Sequence, residues 1–210
     1  MVDWSPLKRV ARLREAKPLR KADDDPLNRI PPGQYSTTKF PVLTYGDTPH
    51  VNTKDWQLKV WGLVEKTLTL TWDELRALPR KEIVCDLHCV TRWSQFDMKW
   101  EGVPFRALAE LVKPKPEARF VMQHCYGGYT TNLPLAELYD EDVLIAYNYD
   151  GAPLPRDHGG PVRMLVPKLY LWKSAKWLNG LEFMTNDNPG FWERYGYHNH
   201  GDPWTEERFG

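Results

Sequence analysis

Cysteine supplies the sharpest chemistry in this chain, with two of its three thiols in the short run Cys85-Asp86-Leu87-His88-Cys89. Together with His124-Cys125, that run has the nitrogen and sulfur donors of a tetrahedral zinc site. The spacing argues against one. In a strand over 83–89 the side chains alternate, so Cys85 and Cys89 face one way and His88 the other. Structural buried thiols, a zinc site and a single functional thiolate all stay open on these residues alone. A second constellation lies in the last third. Asp157-His158-Gly159-Gly160-Pro161-Val162-Arg163 sets two glycines, which let backbone approach a ligand, ahead of an arginine. Lys173-Ser174-Ala175-Lys176-Trp177 then offers two ammonium groups and a hydroxyl. These are groups that receive phosphate, though not with P-loop spacing. A polar loop with solvated lysines explains them equally well.

The elements that must position these residues are short and mixed. Leu7, Val10, Ala11 and Arg14 permit a weak amphipathic helix inside an arm over residues 1–34. That arm carries Lys8, Arg9, Arg12, Arg14, Lys17, Arg20 and Lys21 against Glu15, then reverses sign at Asp23-Asp24-Asp25. It reads as a solvated arm lying on its own domain, with a partner contact as the other reading. The domain proper is expected over 35–210. Trp56, Leu58 and Val60 alternate with Gln57 and Lys59 as a half-buried strand does. Thr71 and Glu74 have capping-box spacing and open a helix through Leu78. Strands are expected over 83–88, 120–124, 143–149, 162–166 and 176–184, and Pro104 opens a helix that Pro114 ends. Gly127-Gly128 and Asp150-Gly151 mark turns, and beyond Asn188 the chain should wrap the surface. The fold class is α+β.

Composition narrows the function. The 210 residues suit one sizeable core. Net charge is zero, so no overall field favours nucleic acid or an anionic membrane, and no apolar run reaches membrane-span length. Met1-Val2-Asp3-Trp4-Ser5-Pro6 lacks the apolar segment of an export signal, and the odd cysteine count makes no disulfide framework. A cytoplasmic protein with reduced thiols is the expectation. Ten Trp and ten Tyr supply large rigid walls for a pocket, or a bulky core.

The run Cys89-Val90-Thr91-Arg92-Trp93-Ser94, followed by Trp100-Glu101-Gly102-Val103-Pro104-Phe105, resembles the metal-cysteine segment of the molybdopterin-dependent sulfite oxidase family. His158-Gly159-Gly160-Pro161-Val162-Arg163-Met164-Leu165-Val166-Pro167 and Lys173-Ser174-Ala175-Lys176-Trp177-Leu178 resemble its pterin-binding segments in the same order. The similarity, nearest to the bacterial single-domain branch, covers roughly 31–208. It implies the mixed-sheet catalytic-domain fold and a molybdenum–molybdopterin cofactor. It also implies two-electron oxygen-atom transfer on a small sulfur or nitrogen oxo compound. Carried over, Cys89 is the metal ligand and catalytic residue. His158, Arg163, Ser174, Ala175 and Lys176 contact the pterin and its phosphate; Thr38, Lys39, Phe40 and His124 match further cofactor positions. Trp93, Tyr126 and Tyr129 are candidate pocket walls.

One departure bears on substrate. The sulfite-oxidising members carry adjacent arginines shortly after the cysteine, where this chain has Trp93 and Ser94 with Arg92 one step early; another expected arginine is replaced around Thr37. Fewer fixed cations weaken binding of a small dianion, so a neutral or organic sulfur or nitrogen oxide, handled reductively, competes with sulfite. No C-x-x-C-H haem motif is present, so a separate electron-transfer partner is expected. The readings from other classes are a zinc-binding hydrolase and a binding module of the same fold without catalysis.

Overall fold

The structure, a computed structural model, describes residues 5–16 and 27–210. Helix α1 spans Pro6–Glu15, with proline at its start where a missing N–H costs nothing. In chain order the strands are β1 (Tyr35–Ser36), β2 (Gln57–Gly62), β3 (Leu68–Thr71), β4 (Lys81–His88), β5 (Trp93–Pro104), β6 (Phe120–Cys125), β7 (Thr130–Pro134), β8 (Leu144–Tyr149), β9 (Ala152–Pro153), β10 (Arg163–Leu165) and β11 (Leu178–Met184). Helices α2 (Trp72–Ala77), α3 (Phe105–Val112), α4 (Leu135–Leu138) and α5 (Phe191–Arg194) are short. Two mixed sheets result. One runs β1-β5-β8-β10, with β4 paired to β5 and β9 to β8; the other runs β3-β2-β11-β6-β7. The pairs β1–β5 and β2–β11 are parallel and the rest antiparallel.

Local sequence explains much of this. Leu58 and Val60 are buried while Gln57 and Lys59 face water, the period of two expected of β2. The capping box of α2 closes, with Glu74 N–H donating to Thr71 Oγ1 at 3.4 Å and Thr71 N–H to Glu74 Oε2 at 2.8 Å. The Asp150-Gly151 turn, both residues at positive φ, joins β8 to β9. The largest buried cluster joins the sheets through Leu58, Val60, Leu181 and Phe183 on one side and Val103, Ile145, Tyr147 and Met164 on the other. α3 closes it with Phe105, Leu108 and Val112.

Residues 93–104 form a twelve-residue strand that was not among those expected, and β3 and β7 were not expected either. In β5 a register shift opposite Cys85–Leu87, with Asp97 at φ 54°, breaks the alternation that would have marked it. Helix α3 ends at Lys113, which takes the left-handed conformation at φ 51°, one residue before Pro114. The strand expected over 162–166 is confined to Arg163–Leu165. Of the arm, α1 lies against the domain: Val10 is buried with Cys89, Trp93, Trp192 and Tyr197. The rest of the charge run, including Asp23-Asp24-Asp25, falls outside the described residues. No helix among the described residues is long and apolar enough to cross a membrane.

Candidate active site

Cys89 is the first residue after β4, at the start of the connection to β5. Its N–H donates to the Trp93 carbonyl and its carbonyl accepts from the Arg92 N–H, each at 2.9 Å, with Arg92 at φ 77° to close the turn. Gln34 Nε2 donates to the Cys89 carbonyl at 3.0 Å and Arg208 Nη1 to the Val90 carbonyl at 2.9 Å. Two buried side chains distant in sequence thus hold the turn from behind. Cys89 lines a cavity of about 140 Å³ that is partly open to solvent. Phe40, Trp93, Tyr129, Trp172, Trp192 and Tyr197 are among its walls.

The sulfur is buried, and burial pushes its thiol up from the ordinary value. A 3.2 Å hydrogen bond from Thr91 Oγ1 and the charges of Arg9 and Lys176 oppose that shift. A bound metal ion deprotonates a coordinating thiol outright. Cys125 and Cys85 differ. Burial drives both thiols far up, and neither lines the cavity. Cys85 packs beside Leu87, Met98 and Trp100 while Cys89 belongs to the cluster of Trp172 and Trp192, so the shared face expected for Cys85 and Cys89 is not realised. The strand stops at His88, which ends the alternation. His88 turns inward to Ser94 Oγ at 2.8 Å. Among the described residues no three His, Cys, Asp or Glu side chains converge as a metal site, which removes the geometry a zinc hydrolase needs.

The matched segments converge on this cavity, with differences. Phe40 lines it and stacks on His158 at 3.8 Å and 8° between rings; Thr38 and Lys39 are exposed and stand off it. Ser174, Ala175, Lys176 and Arg163 all line the cavity. Arg163 is fully buried and its guanidinium is committed to the chain: it donates to the carbonyls of Met164 at 3.2 Å, His158 at 2.8 Å and Ser174 at 2.8 Å. It ties the two glycine- and lysine-bearing segments together. Gly159 and Gly160 are required by protein contacts rather than by an approaching ligand. A Cβ on Gly160 would strike the Leu154 carbonyl, and one on Gly159 would meet Lys176. Lys173 is likewise no surface cation: it is buried and paired with Glu193 at 2.6 Å. His124 points the other way, its Nε2 2.9 Å from Glu182 and its ring beside Trp61. The alternation of β6 sends the neighbouring Gln123 inward, where it binds the Lys173 carbonyl at 2.8 Å and the Ala175 N–H at 3.1 Å. Trp93 and Tyr129 form walls as expected; Tyr126 does not.

Lys176 is a second cation of the site beside Arg163. Its Nζ donates to the Asp157 carbonyl at 2.7 Å, the Leu43 carbonyl at 3.0 Å and Thr44 Oγ1 at 3.4 Å. Burial, then the neighbouring Arg163 charge, pulls its pKa down to about 7. Between about pH 7 and the ordinary lysine value of 10.5 the unfolded chain holds a proton that the folded chain has released. The folded state therefore gains stability from this group as pH rises through that window and loses it as pH falls towards 7. Lys176→Met should flatten this part of the pH–stability curve of the cofactor-free protein in denaturant titrations. It should also weaken cofactor retention about 10–100-fold, the usual worth of a charge-assisted contact. Undiminished cofactor occupancy through purification would mean the anion is held elsewhere.

Residue chemistry fits a planar, anionic, sulfur-bonded cofactor. A soft thiol, the cations Arg9, Arg163 and Lys176, and aromatic walls meet in one cavity. Trp93 Nε1 and His158 Nδ1 are buried without a partner among the described residues. Burial and the nearby Lys176 and Arg163 charges hold His158 near pKa 4, so it stays neutral at neutral pH.

Such a fold and site define a cofactor-dependent redox domain. Residues 45–192 match the oxidoreductase molybdopterin binding domain, and the chain belongs to that family. It is 47% identical to an uncharacterized oxidoreductase, YuiH, of Bacillus subtilis, over 88% of this chain and 94% of that protein. It is 29% identical to the protein-methionine-sulfoxide reductase catalytic subunit MsrP of Campylobacter jejuni, over 80% of this chain and 61% of that one. In fold it resembles the sulfane dehydrogenase SoxCD of Paracoccus pantotrophus, with a TM-score of 0.65 at 22% identity, over 77% of this chain and 47% of that one. The chain is a molybdopterin-binding oxidoreductase of the sulfite-oxidase type, α+β in class.

Arg9, Gln34, Gln123 and Arg208 were not singled out by sequence. Arg9 had a signal: it precedes Val10 on the face that any docked helix would bury. The other three are distant glutamines and an arginine whose roles exist only through long-range hydrogen bonds.

Proposed function

We propose that this protein carries out two-electron oxygen-atom transfer in the reductive sense, taking oxygen from an organic sulfoxide or N-oxide. For a sulfoxide the balance is substrate plus two electrons and two protons, giving the thioether and water. The observation that carries this reading is the fate of Arg92, Trp93 and Ser94, the third to fifth residues after the cysteine. Trp93 faces the cavity, Ser94 is fully buried against His88, and Arg92 points away to donate to the Ala16 carbonyl at 2.8 Å. No residue of that stretch offers a small dianion a cation, while aromatic walls suit an organic body.

When bound, the cofactor supplies the redox centre that exchanges an oxygen atom with substrate. Cys89 would hold the metal through its thiolate. Lys176 would hold the phosphate, its 3.4 Å contact to Thr44 being the weakest to exchange. Arg163 would orient both segments, and His158, neutral and stacked on Phe40, would back that cavity wall. The aromatic walls exclude water and set the substrate's orientation. Electrons come from a separate redox carrier, and a reducing cytoplasmic setting suits three free thiols.

The test is steady-state kinetics on cofactor-loaded protein, with sulfite and an artificial acceptor in one direction, and sulfoxides or N-oxides with an artificial donor in the other. The expected result is a kcat/KM for at least one oxide well above that for sulfite. Efficient sulfite turnover at micromolar substrate would overturn the assignment. Ser94→Arg would not create a sulfite receptor, because it would bury a charge behind the strand rather than present one to the cavity.

A further inference from the structure

Among the described residues, Arg9 from the N-terminal helix is the cavity cation whose guanidinium the fold does not use up. It lines the cavity with Cys89, and its guanidinium lies over the Trp192 ring at 5.4 Å. Arg163 spends its donors on three carbonyls and Lys176 on two carbonyls and a hydroxyl. Among the described residues, no carboxylate or carbonyl takes the Arg9 guanidinium. The helix that carries it is docked at both ends of its inner face. Val10 is buried in the cluster around Cys89, and Arg14 Nη2 donates to the carbonyls of Gly196 at 3.2 Å and Gly210 at 3.1 Å. Arg14 also lies over Phe209 at 5.1 Å, and Arg92 caps the helix end through the Ala16 carbonyl. A guanidinium so placed is held with little freedom left to lose on binding, and it presents a planar fork suited to carboxylate or sulfonate.

We propose that Arg9 is a substrate-binding residue, and that the oxide reduced here carries an anionic group, a carboxylate or sulfonate, received by Arg9 while its apolar body packs on Trp192, Tyr197 and Trp93. The N-terminal helix thereby supplies from another part of the chain the cation missing after Cys89. The inference rests on the oxide-reducing reading for the identity of the reacting group, and on the cavity alone for the anion site.

The test uses cofactor-loaded protein in two arms. In the first, kcat/KM is compared for a methyl sulfoxide bearing a carboxylate and for its neutral amide. The unmodified protein should prefer the acid roughly 10–100-fold, the worth of one charge-assisted contact. In Arg9→Gln the preference should collapse towards one, chiefly through KM. Arg9→Lys should keep part of it, having the charge without the fork. The second arm measures binding of sulfate by calorimetry, which needs no turnover, and should show at least about tenfold weaker binding in Arg9→Gln. Arg14→Ala, which loosens the helix, should lower sulfate affinity in the same direction. Equal sulfate affinity in the unmodified protein and Arg9→Gln, or an acid preference that survives Arg9→Gln, overturns the proposal. So does loss of cofactor from Arg9→Gln with the acid preference intact, which would place the guanidinium on the cofactor. If no oxide is turned over but sulfate binding still depends on Arg9, the anion site stands and the oxide-reducing reading falls.

Discussion

Cys89→Ser should lose turnover while keeping the fold. The serine hydroxyl is nearly isosteric with the thiol, and the turn that carries residue 89 is held by backbone and by Gln34 and Arg208, none of which depends on sulfur. What disappears is the soft donor, since a hydroxyl is a weak ligand for a metal that cycles between oxidation states. Losing an outer-shell partner alone costs metal sites roughly 10–100-fold, so losing the ligand itself should cost more than about 100-fold in kcat. Cys85→Ser and Cys125→Ser should retain most activity, because those thiols are neutral and outside the cavity. Circular dichroism and kinetics on all three variants check this; comparable activity in Cys89→Ser and the unmodified protein would sink it.

The largest stability effect should come from Glu193→Ala. Glu193 and Lys173 form a buried pair, with side chains 1% and 0% exposed. Glu193 Oε1 also accepts from Thr131 Oγ1 at 2.7 Å and Trp172 Nε1 at 3.0 Å, and Lys173 Nζ donates to the Asn132 carbonyl at 2.8 Å. Burial pulls the lysine down while the Glu193 charge and hydrogen bond hold it up. Removing the carboxylate strands an ammonium and two donors, at a cost of about 3–5 kcal/mol. For a domain of this size that corresponds to a fall in Tm of roughly 6–20 °C. The double variant Lys173→Met with Glu193→Leu should recover much of the loss, because the desolvation of both charges goes with them. Thermal denaturation followed by near-ultraviolet dichroism measures both; a Tm for Glu193→Ala within a degree or two of the parent would contradict it. Trp172 is a cavity wall, so the same pair also fixes the shape of the site.

Much of this is legible in the amino-acid sequence. The alternation in β2, the Thr71–Glu74 box and the Asp150-Gly151 turn are local patterns, and local patterns survive into the structure. The matched segments that carry Cys89, Arg163 and Lys176 also meet in one cavity, with His158 behind its Phe40 wall. What could not be read depends on long-range placement. Strand β5 hides behind a register shift and charged outward residues. Lys173 and Lys176 look equivalent in sequence, yet a 3-10 turn over Leu171–Lys173 sends one into the core and leaves the other in the cavity. His124 and Gln123 differ by one residue and therefore by one face of β6. Arg9 lies eighty residues from Cys89, and only the docking of Val10 and Arg14 brings it to the sulfur.

The central claim is that Cys89 alone among the cysteines supplies a sulfur ligand to a pterin-bound molybdenum in this cavity. Molybdenum K-edge X-ray absorption on loaded protein tests it directly, with metal and pterin content measured on the same samples. The account predicts a protein thiolate in the sulfur shell of the unmodified protein and of Cys85→Ser and Cys125→Ser, and one sulfur fewer in Cys89→Ser. An unaltered sulfur shell in Cys89→Ser, or a sulfur lost from Cys125→Ser instead, would contradict it.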